Sequence, residues 1–288
     1  MKTIFKTAVA VLVMGTLCLA GLAAAGKPKK GGNAIPVFGS SGKLEGTIAV
    51  VSIFMNDART SWNFEKQEDV DMYGYVYYDL KIACEWLTKA CRGYGRKVKF
   101  VWDWTEHEEL FYSGSLSIDI AAEPADIDEK IQSFIRRNID GEGIKRAFGA
   151  NGIIYMVYVN TPSSNSKTGF AFMWARDYPR NEEGCFMLMQ CDGWVVAPAC
   201  FAHEMLHTFG APDLYYAGMY GITQEYVDYV ESMGLNDIMR TNSDLSTGEY
   251  VYDKVSNEIT DITAYYVGLT NYSETVEEWG FEPSDYDR

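Results

Sequence analysis

The stretch "TIAVVSIFM", residues 47–55, restricts the fold more than any other part of this 288-residue chain. It is rich in β-branched and apolar side chains, and it reads as a buried strand. "GIIYMVYVN" (152–160) and "CFMLMQC" (185–191) are runs of the same kind. "KVKFVWDW" (97–104) alternates as a further strand, "LFYSGSLSIDI" (110–120) reads as a strand or an ordered loop, and "TGFAFMWAR" (168–176) reads as an edge strand. Helical patterns lie between them. Residues 69–92 carry a stripe of Val76, Leu80, Ala83, Leu87 and Ala90, ended by Gly93 and Gly95, and residues 125–138 carry Ile127, Ile131, Phe134 and Ile135. Strands interleaved with helices predict an α/β (α+β) domain, a sheet covered by helices. Residues 223–233 and 257–268 read as further helices in a region rich in Tyr, Gly and Asn.

The two ends are different in texture. Lys2 and Lys6, the apolar stretch "AVAVLVMGTLCLAGL" and the small residues "AAAG" form a secretory signal with cleavage expected after Ala25. The apolar run is short for a membrane anchor, and no second one follows. Leu17 argues against a lipoprotein reading of Cys18, because it is bulkier than that processing usually accepts. Residues 26–46 are rich in Gly, Lys, Pro and Ser and read as a flexible leader, and residues 271–288 read as a loose acidic tail. Loss of Lys2 and Lys6 takes the net charge from -15 to -17, which argues against nucleic acid or an anionic membrane as partner.

Five cysteines follow the signal, so at least one is unpaired in a monomer. Cys84 and Cys91 lie roughly 10 Å apart along a helix and read as small buried hydrophobes. A Cys191–Cys200 bridge remains open, and no spacing resembles a zinc knuckle.

The segment "HEMLHTFGAPD" (203–213) carries chemistry. Pro198 suits a first helical turn, and no breaker follows before Gly210. His203 and His207, four apart, share a helix face and can present two imidazoles to one ion. Glu204 is rotated by about 100°, misses the ion and can reach a water beside it. Gly210 permits a left-handed turn, Pro212 forbids further helix, and Asp213 can return as a third ligand. A chance His-Glu-x-x-His has odds of about two in a thousand in a chain of this composition, which favours the metal reading over a coincidence.

His203-Glu204-x-x-His207-x-x-Gly210-x-x-Asp213 resembles the extended zinc motif of the metzincin clan. Its Asp-ended form, continuing as Pro212-Asp213-Leu214-Tyr215, is similar to the snapalysin-like and immune inhibitor A-like secreted bacterial proteases. The resemblance implies one catalytic Zn2+ on His203, His207 and Asp213, with Glu204 as general base. It also implies that Met239 of "NDIMR" forms the methionine turn. The implied fold is a twisted mixed sheet with two long helices and an active-site helix, over a smaller irregular C-terminal subdomain. The catalytic domain would span 47–270, with the subdomain boundary near 210, and a peptide substrate would pair with the edge strand near 169–175. Thr241 departs from the pattern, because many relatives have an oxyanion-binding tyrosine there. Arg240, Tyr215, Tyr216 and Tyr220 are the candidate replacements.

The expected protein is therefore a secreted, monomeric zinc endopeptidase acting on a protein or peptide, without nucleic acid or membrane insertion. The alternatives are a binding protein on a protease scaffold, with a structural or lost zinc, and a zinc hydrolase for a non-protein amide. The acids at 106–109 can bind calcium but read first as a solvated charge run, and His107 reads as an exposed histidine among them. The many tyrosines and tryptophans read mainly as core and half-buried positions.

Overall fold

The computed structural model describes residues 37–172, 182–218 and 221–281. The signal segment, its cleavage point and Cys18 lie outside these residues. So do Tyr220 and the 173–176 part of the expected edge strand.

The run at 47–55 is the middle of β1 (Gly46–Asn56), where every residue from Ile48 to Met55 is buried. The chain continues through α1 (Gln67–Gly93), β2 (Val98–Val101), β3 (Phe111–Ser115), α2 (Ile127–Asn138), α3 (Gly141–Phe148) and β4 (Gly152–Val159). β5 (Gly169–Ala171), β6 (Gly184–Leu188) and the two-stranded pair β7 (Gln190–Cys191) and β8 (Trp194–Val195) follow. Then come α4 (Pro198–His207), α5 (Gln224–Ser232), α6 (Asp261–Tyr266) and α7 (Glu274–Trp279).

The larger sheet runs β2-β1-β4-β6-β5, with β3 beside β1 as well. β2 pairs with the first half of β1 (Gly46↔Val98) and β3 with the second half (Ser52↔Phe111). One flank of β1 is thus shared by two strands end to end. All pairs are parallel except β5 on β6. This is a mixed α/β fold with a mostly parallel sheet and a small second sheet. Parallel strands bury both faces, which is why their sequences are continuous apolar runs rather than alternating ones.

α1 presents Met72, Val76, Leu80, Ala83, Cys84, Leu87 and Cys91 inward and packs along α4. α2 and α3 pack on β6 and on β1 and β4. α3 went unread in the sequence. Asp140 caps its start by accepting from Gly143 N, and Gly149 ends it in a left-handed conformation, but only Ile144 is buried. A helix with one buried residue has no stripe to find. Cys84, Cys91, Cys185, Cys191 and Cys200 are all buried free thiols, so the Cys191–Cys200 bridge is not formed.

Two expectations about the ends are corrected. Residues 37–46 of the supposed flexible leader are seated on the domain: Leu44 is fully buried, and Ser41 Oγ donates to Ile153 O at 2.8 Å. The acidic tail is helical over α7, capped by Ser273, and Trp279 and Phe281 lie 5.0 and 4.8 Å from the Tyr226 ring. Apolar rings in an acidic stretch give it something to bury, and bulk charge hides that. Among the described residues no helix is long and apolar enough to cross a membrane.

Asp79, on the buried face of α1, is 3% exposed, and its Oδ2 has no hydrogen-bond partner. Burial pushes its carboxyl from 3.8 up to about 8. The unfolded chain ionises near 3.8 while the folded protein resists ionisation up to about 8. This group's contribution to stability is therefore present below the first value and lost as pH rises through the second. Each pKa unit corresponds to about 1.4 kcal/mol. Asp79→Asn is expected to leave the melting temperature nearly unchanged at about pH 4 and to raise it by more than roughly 5 °C at about pH 8. Thermal unfolding at the two pH values checks this.

Candidate metal centre

α4 begins with Pro198 at its first helical position, and all of its residues are buried. It ends at His207, two residues earlier than the breaker pattern implies. Phe209 N and Gly210 N bond three residues back, to Leu206 O and His207 O, and so form a tight turn instead of another helical step. Gly210 has φ +100°, a conformation that a side chain would strain. The turn carries the chain over Ala211 and Pro212 to Asp213.

His203, His207 and Asp213 are buried together, and one ligand atom from each lies within 4.8 Å of the others. Asp213 Oδ1 is 3.1 Å from His203 Nε2 and 3.4 Å from His207 Nε2. It makes no well-formed hydrogen bond to either ring. His203 Nδ1 donates to Ile238 O at 2.9 Å, and His207 Nδ1 donates to Ala211 O at 2.7 Å. A carbonyl can only accept, so each Nδ1 carries a proton and each ring turns its Nε2 toward Asp213. Two Nε2 atoms converging on one carboxylate oxygen need a positive charge among them, either a proton or a metal ion. Ligand bonds of about 2.1 Å in a tetrahedron place ligand atoms roughly 3.4 Å apart, close to the 3.1 and 3.4 Å between Asp213 Oδ1 and the two imidazoles. The residues fit a metal ion.

The electrostatics follow. Burial opposes charge on His203, but the adjoining Asp213 carboxylate and the nearby Glu204 outweigh it and raise the ring to about 9. Burial alone would raise Asp213, yet the two histidines hold it far below the carboxylate range. Burial raises Glu204, and His203 and His207 partly offset this.

Glu204 is buried with an unpartnered Oε2. The Cys185 thiol of β6 donates to its backbone carbonyl at 3.4 Å. A Cβ built on Gly169, at the start of β5, would lie 3.2 Å from Glu204 Oε1, so the sheet edge runs directly past the carboxylate.

Met239 is buried, and its turn reaches the cluster by two routes. Ile238 O accepts from His203 Nδ1, and Met239 O accepts from Leu214 N, next to Asp213, at 2.9 Å. The turn is held by Asp237, a fully buried residue with no motif to mark it in the sequence. Its carboxylate accepts from Met239 N, Thr260 N, Thr260 Oγ1 and Thr263 Oγ1. An acid directly before the apolar pair Ile238 and Met239 is the available signal. Ile238 O and Ala211 O are backbone atoms and leave no signal in a sequence.

Of the replacement candidates for a tyrosine at Thr241, Tyr215 lies at the cluster. Its ring stacks on His203 with centroids 6.2 Å apart, and its hydroxyl is pushed above the usual tyrosine range, burial being the largest cause and the Asp213 carboxylate adding to it. Arg240 instead donates to Leu235 O, and Thr241 pairs with Ser243. His107 stands apart from the metal group and is half-buried rather than exposed, edge-on to Phe148. Among the described residues the acids at 106–109 belong to no such group. No protein-family model matches the chain, and the curated proteins contain no match to it.

Asp237→Ala leaves two backbone amides and two hydroxyls without their acceptor. A loss of about 3 kcal/mol or more is expected in urea unfolding, well above the roughly 0.5 kcal/mol typical of a surface change.

Proposed function

We propose that this protein is a secreted zinc-dependent endopeptidase of the metzincin type, with Asp213 as the third ligand beside His203 and His207. The observation that carries the reading is Glu204, a buried carboxylate with a free oxygen, set between a three-ligand cluster and a sheet edge. A purely structural metal site has no use for such a base. The signal segment at 1–25 supports secretion.

Zinc suits two imidazoles and one carboxylate, and when bound it polarises a carbonyl and acidifies a water. Glu204 takes a proton from the attacking water and delivers it to the leaving amine. Among the described residues β5 pairs only with β6, so its other side is open to an extended peptide. Pairing there would draw the peptide backbone past Glu204. Tyr215, whose ring stacks on His203, is the residue we assign to donate to a developing oxyanion in place of a tyrosine at Thr241.

Elemental analysis and digestion of a mixed peptide library test the reading. Wild type and Glu204→Gln should both hold one zinc, with cleavage lowered by 10²-fold or more in the variant, a loss of the order expected for a general base. Asp213→Ala should lose the metal. Equal cleavage by wild type and Glu204→Gln at full zinc would refute the peptidase. For Tyr215→Phe, kcat should fall on the order of 10²-fold with zinc content unchanged, as measured by steady-state kinetics on a cleaved peptide.

A further inference from the structure

Residues 38–44 run across the turn that ends α4. The last carbonyls of a helix have no partner within it. Here Thr208 O accepts from Ser41 N at 2.9 Å, and Phe209 O accepts from Gly39 N at 3.3 Å. The fit leaves no room for side chains. A Cβ on Gly39 would lie 2.1 Å from Thr208 O, and one on Gly210 would lie 2.6 Å from Phe38 Cβ. Gly210 therefore serves two purposes, the left-handed turn and the seat for this strap.

The strap is anchored at both ends. The Phe38 ring packs against Tyr265 and Tyr266 at 5.7 and 5.4 Å. Ser41 Oγ donates to Ile153 O of β4, and Leu44 N donates to Val267 O just past α6. The clamped turn carries Ala211 O, the acceptor for His207, and leads two residues on to Asp213. Thr260 and Thr263, at the start of α6, hold Asp237 and through its turn the acceptor for His203. One segment thus touches both structures that aim the two imidazoles.

We propose that Phe38, Gly39 and Ser41 are positioning residues for the metal cluster. Their docked backbone fixes the turn at 208–211, and with it the direction of the His207 ring and the reach of Asp213. The proposal rests on the metal reading above and extends the site to a segment that precedes the first strand. Loosening the strap should weaken metal binding beyond its effect on the fold.

The test uses the full chain with Phe38→Ala and Gly39→Val, and Val98→Ala on β2 as a core-destabilised comparator remote from the strap. Zinc affinity is measured by competition with a chromophoric chelator, and the visible spectrum of the Co2+-substituted protein is recorded. Thermal stability of each metal-free form is measured in parallel. Both strap variants should bind zinc on the order of tenfold more weakly, as for other groups that orient ligands, with a shifted Co2+ band. Val98→Ala should lose stability with its affinity intact. A loss under threefold in Phe38→Ala, which removes only side-chain packing, overturns the proposal even if Gly39→Val does not fold. Equal affinity loss in Val98→Ala overturns it too. A wild type that takes up no zinc defeats the metal reading itself, and that result is seen before any variant is compared.

Discussion

The placement of two imidazole protons governs the rest of the arrangement. His203 Nδ1 donates to Ile238 O and His207 Nδ1 donates to Ala211 O, so both Nε2 atoms point inward at Asp213. A helix can bring two histidines onto one face, but it cannot choose their tautomers or ring angles. Those are set by carbonyls from outside the helix. Each carbonyl must be held in turn. Ala211 O depends on the Gly210 turn, and Ile238 O depends on the loop fastened by Asp237.

The sheet supplies the other half of the geometry. β6 and β5 lie against α4, and the Cys185 thiol and Gly169 approach Glu204 from the strand side. Because β5 runs antiparallel to β6 at the end of the sheet, its outer backbone groups are left without a strand partner among the described residues. The proposed general base, the helix that bears both histidines and the edge of the sheet are thus brought together by packing rather than by sequence proximity. Burying a carboxyl has a cost where it lacks donors, as at Asp79, and that cost is offset at Asp237 by four donors.

Legibility in the sequence followed the range of the interaction. β1, α1, α2 and β4 were readable because their signal is a run or a stripe inside one element. The motif was readable because helical spacing and a glycine turn are local. α3 was missed because one buried residue makes no pattern, and α7 because Trp279 and Phe281 find their partner at Tyr226, across the chain. The strap was misread as a flexible leader for the same reason. Gly39 and Ser41 look like linker residues until Thr208 and Phe209 are seen beside them.

The sequence by itself determined the mixed α/β class, the central strands, the ligand helix and the identity of the three candidate ligands. Each of these depends on periodicity or spacing within about a dozen residues. Only the tertiary structure decided which nitrogen of each histidine faces Asp213, that Tyr215 rather than Arg240 lies at the cluster, and that residues 38–41 cap the helix. These depend on backbone carbonyls and on contacts between segments more than a hundred residues apart in the case of the strap. A one-dimensional pattern does not encode which carbonyl a side chain will meet. The packing of the core does.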